Sequence, residues 1–276
     1  MQLATKFTAG HTMLRSDVPL TFEQMRTVAP SIFAEEPHAS RSDRYAYIPT
    51  SEVLRRLQLE GFSPFLACQS RSRDAARREH TKHMVRLRHA SQITGEEANE
   101  IILINSHDGT SAYQMLAGVF RFVCGNGMVC GTTMSDVRVR HNGNVIDNVI
   151  EGAFSVVKDF ETVDAQKVAM KGLWLTHGDQ VAFARAARAL KYDDPDVAPP
   201  VTEHQLLHIE RPEDNAADLW TTFNRVQEHL VRGGIRGRRF DGRRATTRPI
   251  TAIDQNVKIN RALWILAEAM RELKGS

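Results

Sequence analysis

The chain has 276 residues, 42% of them hydrophobic and 25% charged, with a formal net charge of +3, a composition ordinary for a globular protein long enough to bury a core without staples. No run of about eighteen apolar residues exists, which excludes a membrane-spanning helix. Three cysteines are too few for a disulfide framework and the first residues lack a signal-like apolar stretch, so a reducing cytoplasm is the expected compartment.

The first periodic element is PTSEVLRRLQLEGF, where Val53, Leu54 and Leu57 recur at helical spacing and Gly61 suits the left-handed position after a helix end. Short strand-like runs surround it: RYAYI before it, then FLACQS, HMVRLRH, EIILIN, VFRFV and VRVRH. Their lengths and alternation predict an antiparallel meander. In HMVRLRH, Met84, Arg86 and Arg88 share one face and Val85 and Leu87 the other, so the sheet is expected to be apolar on one side and cationic on the other. From Asp147 the period changes to helical, with Val149, Ala153, Val156 and Phe160 on one stripe. A second helix is predicted over 179–192. The acidic, proline-containing DDPDVAPP reads as a linker, and a third helix carries Leu219, Phe223, Val226 and Leu230 up to Gly233–Gly234. RGGIRGRRFDGRRATTRP is expected to be a mobile loop. The last helix begins near Thr251–Asp254, an approximate capping box, and buries Ile253, Val257, Trp264, Ala267 and Met270.

The expected architecture is therefore α+β: an antiparallel meander packed by helices over 1–192, an acidic, proline-rich linker at 193–201, and a helical C-terminal region over 202–276 with an arginine-rich loop at 232–249.

Charge is segregated along the chain. The interval Arg71–Arg88 holds seven Lys/Arg against two acids and Arg232–Arg248 seven Arg against one, with an acidic interval, Asp193–Asp218, between them. Such segregation is the footprint of a phosphate-bearing partner. Arginine suits phosphate because its planar fork donates two parallel hydrogen bonds, and an aromatic side chain among arginines can stack on a base. One phosphate track is expected from Arg71, Arg73, Arg77, Arg78, Lys82, Arg86 and Arg88, and a second from Arg236, Arg238, Arg239, Arg243 and Arg244 with Phe240 as the stacking residue.

Enzyme-like signals are sparser. NSHDGTSAY places His107 and Asp108 at a strand end, either as a turn held by side-chain to backbone bonds or as an acid-base pair. FRFVCGNGMVCG reads as a strand, Phe120 to Cys124, entering a glycine-rich tight turn. Its strand registers set Cys124 and Cys130 on opposite faces or out of pairing, against a disulfide, and C-x5-C lacks the further ligands zinc requires. A packed thiol and a nucleophile remain the readings of Cys124. HQLLH, His204 to His208, has helical metal spacing but no following glutamate, so a solvated helix face is expected. No cofactor and no metal are implied.

Taken in order, RSDRYAYIPTSEVL, GFSPFLACQSRSRD, RREHTKHMVRLR, EIILINSHDGTSAYQML, FRFVCGNGMVCG, VIEGAF and IDQNVKINRALWILAEAM resemble the family catalogued as domain of unknown function 932, in its prophage-encoded YfjQ-like branch. The resemblance covers nearly the whole chain and implies a protein of prophages and plasmids, with no catalytic residues to carry over. The order of a helix, several arginine-bearing antiparallel strands and a second helix is similar to single-strand annealing proteins of the Rad52 superfamily. The function expected is binding of nucleic acid, single-stranded DNA in the first place, by a homo-oligomer. The alternatives are a nuclease or other hydrolase using His107, Asp108 and Cys124, and a protein-interaction module.

Overall fold

A computed structural model describes residues 12–41, 47–94, 97–131, 136–140, 144–194, 198–238 and 241–275. They form two compact units, one of residues 1–121 and 133–160, the other of residues 122–132 and 161–276.

The first unit is an antiparallel sheet with helices on one face. Its main path runs through β1 (Thr12–Arg15), β2 (Phe62–Gln69), β3 (His83–His89), β5 (Glu97–Asn105) and β6 (Tyr113–Arg121). The two-residue β4 (Ile93–Thr94) pairs with β5, and β8 (Val137–Val139) pairs with β6. The sequence-predicted meander is thus present. The segment RYAYI contributes no strand where it is described: Tyr47 and Ile48 are irregular, and residues 44–46 lie outside the described residues.

Register assigns each side chain to a face. Leu14, Ala67, Val85, Leu103 and Met115 form one cross-strand row. On this side Val53, Leu54 and Leu57 of α2 (Thr50–Leu59) are fully buried, as are Val149, Ala153 and Val156 in the first half of α3 (Val145–Gly172). At φ +89°, Gly61 follows the end of α2 in the conformation the sequence suggested.

The opposite face carries Arg15, Leu66, Arg86, Ile102 and Leu116 in one row. It is not a cationic surface. Arg86 and Arg88 are 3% and 1% exposed, and both bind Glu100 on β5: Arg86 Nη1 donates to Oε2 at 2.9 Å and Arg88 Nε to Oε1 at 2.8 Å. The Arg88 guanidinium lies 4.3 Å from the Phe65 ring centroid and 4.2 Å from that of Phe120. Arg15 of β1 also reaches Phe120 of β6, at 5.4 Å. In a flat sheet these strands would stand four spacings, about 19 Å, apart. The sheet therefore curls around this face and makes it an interior. The expected phosphate track loses Arg86 and Arg88 for that reason: a charge pattern on one strand does not reveal a carboxylate supplied by a neighbour.

The second unit is helical. It contains the rest of α3, α4 (His177–Lys191), the single turn α5 (Glu203–Leu206), α6 (Leu219–Arg232) and α7 (Ile253–Gly275). It also contains β7 (Asn126–Val129) and a two-stranded sheet of β9 (Arg236–Arg238) and β10 (Arg244–Thr246). Leu219, Phe223, Val226 and Leu230 are buried as their spacing predicts, and Trp220, Phe223 and Trp264 meet edge-on or tilted at 5.6–6.2 Å between centroids. On α7, Ile253, Trp264 and Ala267 are buried, while Val257 and Met270 are half-buried. The units part at 160/161, inside a continuous helix, rather than at the stretch 193–201, because α4 packs with α6 and α7.

The strand expected at Phe120–Cys124 ends instead at Arg121, and the turn occupies Phe122–Gly125, with Gly125 at φ +65°. Asn126 and Gly127 open β7 rather than forming the turn.

Replacing Glu100 by glutamine keeps the shape but removes the carboxylate that faces two buried guanidinium charges. Breaking a buried pair in this way costs about 3–5 kcal/mol, read as a fall in the denaturant midpoint, whereas exchanging Arg86, Arg88 and Glu100 together for apolar residues costs far less.

Candidate nucleic-acid interface

The segment 232–249, expected as a mobile loop, carries a hairpin. Arg238 pairs with Arg244, Gly237 with Ala245 and Arg236 with Thr246. Alternation puts Arg236, Arg238, Arg244 and Thr246 on one face, all exposed, and Gly237 and Ala245 on the other, both half-buried. Gly237 lies against the backbone of Pro200, so closely that a Cβ would collide with the Pro200 carbonyl. The small face is thereby pressed onto the 198–201 segment while the arginine face is turned to solvent.

The base of the hairpin is tied down. Gly234 N–H donates to Thr247 O at 2.8 Å, Thr247 N–H to Ile235 O at 2.9 Å, and Ile235 N–H to the Thr247 hydroxyl at 3.0 Å. Gln205 Nε2 donates to Arg236 O at 2.8 Å. Lys191, at the end of α4, donates to Leu230 O at 2.6 Å, one of the end carbonyls of α6, and to Arg248 O at 2.8 Å. Burial lowers the Lys191 pKa to about 8. Arg243 pairs with Asp241 at 3.5 Å and is largely exposed. Arg239 and Phe240 lie outside the described residues.

The overlooked signal was Asp241–Gly242, with Gly242 at φ +77°, an Asp-Gly hairpin dipeptide set between R-x-R and R-x-T alternation.

In the first unit, Arg71, Arg73, Arg77 and Arg78 of the β2–β3 loop are exposed, and Lys82 is half-buried. Asp74 pairs with Arg77 at 3.6 Å. This part of the first expected track faces solvent; its strand part does not. Much of the acidic interval 193–218 is used internally: Glu203 binds Arg185 and Arg188, Asp214 binds Arg211, and Asp218 caps α6.

In the first unit His107 and Asp108 are held by different partners. Asn105 and Ser106 are fully buried, and so is His107, in a network centred on the Thr50 hydroxyl. Around that oxygen stand His83 Nε2 at 2.9 Å, Asn105 Nδ2 at 3.1 Å, His107 Nε2 at 3.2 Å and the Tyr113 hydroxyl at 3.3 Å. The Thr81 carbonyl, 3.2 Å from His83 Nδ1, sets that nitrogen as the donor, so Nε2 accepts from Thr50. The Tyr113 hydroxyl donates to Ile48 O at 2.9 Å, and Ser31 Oγ joins at His83 Nδ1 at 3.0 Å. The network fastens the first turn of α2, which has no side-chain cap, to the sheet.

Asp108 is instead a turn residue: its carboxylate accepts from the Thr110 hydroxyl at 2.6 Å and the Thr110 amide at 3.0 Å. Burial opposes its ionisation, but the hydrogen bonds from Thr110 and Ser106 outweigh it and hold the carboxyl below its ordinary range. Cys124 belongs to the second unit, where it is half-buried. The helical zinc spacing of His204 and His208 is not realised, because α5 ends at Leu206. Among the described residues no group of histidine, cysteine and carboxylate side chains could hold a metal, and no helix is long and apolar enough to cross a membrane.

The architecture is that of an α+β protein with a curled antiparallel sheet and a helical C-terminal unit. Residues 37–264 match the family model described as domain of unknown function DUF932, and the chain belongs to that family. It is 52% identical over 269 residues to the UPF0380 protein YafZ of Escherichia coli K12, covering 98% of this chain and 97% of that protein. The UPF0380 protein YfjQ of the same strain is similar to the same degree and extent. No solved structure matches the chain.

Two outcomes follow from the anchoring contacts. Thr50→Val, which removes the shared hydroxyl, lowers the stability of the protein by about 2–3 kcal/mol in a denaturant titration, whereas Thr50→Ser keeps most of it. Lys191 holds its proton less tightly when folded, near pH 8, than when unfolded, near 10.5. The unfolded chain binds the extra proton between those values, so stability gains with rising pH across that window and the burial cost is full below it. Lys191→Met lacks this gain when denaturant midpoints of the two proteins are compared at both ends of the window.

Proposed function

We propose that this protein binds nucleic acid, with single-stranded DNA as the first substrate to test, through the arginine face of the β9–β10 hairpin. The carrying observation is the cross-strand pair Arg238–Arg244, two like charges placed directly opposite one another on an exposed ribbon beside Arg236. Like charges in that position destabilise a sheet. A polyanion relieves the repulsion, and guanidinium groups supply paired donors to successive phosphates. The backbone ties at 191, 205, 234 and 247 hold the ribbon in place against that repulsion. Arg71, Arg73, Arg77 and Arg78 of the first unit provide a further exposed cationic segment of the same chemistry.

Annealing of strands is the finer form of this reading. It draws on the order of α2, antiparallel strands and α3, which is similar to that of the Rad52 superfamily, and on the prophage and plasmid setting that the family resemblance implies. Such annealing requires no cofactor, only strands held with their bases accessible.

The test is fluorescence anisotropy of a labelled oligothymidylate with nuclease-treated protein across a salt series. Binding weakens steeply with salt, and changing Arg236, Arg238 and Arg244 together to glutamine lowers affinity roughly tenfold or more and reduces the slope of log K against log salt by about 2. Background-level binding at low salt overturns the reading. An unchanged slope in the triple variant removes the hairpin from the interface.

A further inference from the structure

The three tryptophans of the chain have opposite surroundings. Trp220 and Trp264 are 2% and 1% exposed, whereas Trp174 is 69% exposed. An indole so open is unusual, because tryptophan is highly buried on average.

Trp174 is also rigidly mounted. It forms a β-bridge with Asp218, flanked by two backbone bonds, Leu175 N–H to Ala217 O and Leu219 N–H to Leu173 O, both 2.9 Å. Two residues on, Thr176 caps α4 through a reciprocal box with Asp179. Backbone flexibility therefore does not account for the exposure.

Beside the arginine hairpin the same unit carries a polar groove with imidazole rings along it. His177, three residues after Trp174, stacks on His204 at 5.7 Å with the rings 21° apart. His204 and His208 line a groove of about 660 Å³ that ends at Gly233, Gly234 and Ile235, next to Arg236. One acid of that groove, Glu228, is paired with two arginines, Arg211 and Arg232, and Glu210 faces His229 Nε2 at 3.3 Å. The groove thus combines imidazole faces with an arginine-paired Glu228 and lies beside an arginine ribbon, a surface that suits a stacked, anionic chain.

We propose that Trp174 is a stacking platform for an unpaired base, and that the strand runs from it along the histidine-lined groove to the arginines of the hairpin. This rests on the nucleic-acid reading above and restricts it to single strands, because a paired base has no free face to offer. Trp174 stands at the start of α6 and the hairpin follows its end. The 14 residues of that helix span about 21 Å at 1.5 Å per residue. At a spacing of about 3.4 Å per nucleotide that is roughly six nucleotides, fewer if the strand is stretched.

The experiment titrates oligothymidylates of increasing length into the full chain and follows the quenching of tryptophan emission, which reports Trp174 because a bound base cannot contact the two buried indoles. Emission is quenched on binding, and the quench is absent in Trp174→Ala. That variant binds about tenfold more weakly, while Trp174→Tyr retains most of the affinity. The salt slope of Trp174→Ala equals that of the unaltered protein, since an uncharged contact releases no counterion. If Trp174→Ala binds as the unaltered protein does while the arginine triple variant is weakened, the platform is refuted and the nucleic-acid reading stands. If the unaltered protein binds no strand at low salt, the reading fails and the platform with it. Double-stranded DNA competing as well as single strands of equal length also overturns the proposal.

Discussion

The first unit depends on one carboxylate. Glu100 lies in the interior of a curled sheet and pairs with two guanidinium groups from the neighbouring strand, Arg86 and Arg88. Without it, two buried guanidinium groups would lose the carboxylate they share in a low-dielectric interior, where removing one partner of a buried pair costs several kcal/mol. With it, the curl closes. Arg88 then fills the space between Phe65 and Phe120, and Arg15 of the edge strand reaches over to Phe120. The ion pairs favour one register of β3 against β5, because a slip of one residue would carry Arg86 and Arg88 to the helix-covered face and away from Glu100.

The opposite face solves a different problem by different means. Its far end must bury Gln69, His83 and Asn105, cross-strand neighbours on three adjacent strands. A single hydroxyl, Thr50, meets the needs of His83, Asn105 and His107 at once, and Ser31 and Tyr113 complete the surroundings. A buried network of this kind favours the arrangement of sheet and helix in which its hydrogen bonds are made, because breaking them leaves buried polar groups without partners. His107, an acid-base candidate in the sequence, is a member of this junction.

Arginine has two fates in this chain, and local sequence does not separate them. Arg86 and Arg88 sit in an alternating strand and are fully buried; Arg236 and Arg238 sit in another and are exposed. What differs lies elsewhere in the chain. β3 runs between two other strands in a curled sheet and meets a glutamate from β5. The β9–β10 ribbon has only two strands, and its inner face is glycine and alanine resting on the Pro200 segment. A two-stranded ribbon has no interior on its second side, so its arginines are left to solvent and to whatever anion solvent brings.

Several features were legible in the sequence because they are local. The helical stripe Val149–Ala153–Val156–Phe160, the α6 stripe from Leu219 to Leu230, the alternation of HMVRLRH and the side-chain-bonded turn at Asp108 depend on spacings of two to four residues, and spacing is what sequence records. So are the family and the α+β class, which follow from motif order and element order. The burial of Arg86 and Arg88, the gathering of Ser31, Thr50, His83 and His107, the hairpin at 236–246, and the clamp that mounts Trp174 on Asp218 were decided only by tertiary structure. Each joins residues distant in the chain or depends on what lies on the far side of a strand. The amino-acid sequence specifies which side chains carry charge, and only the folded neighbours determine whether that charge is neutralised within the protein or presented to a ligand.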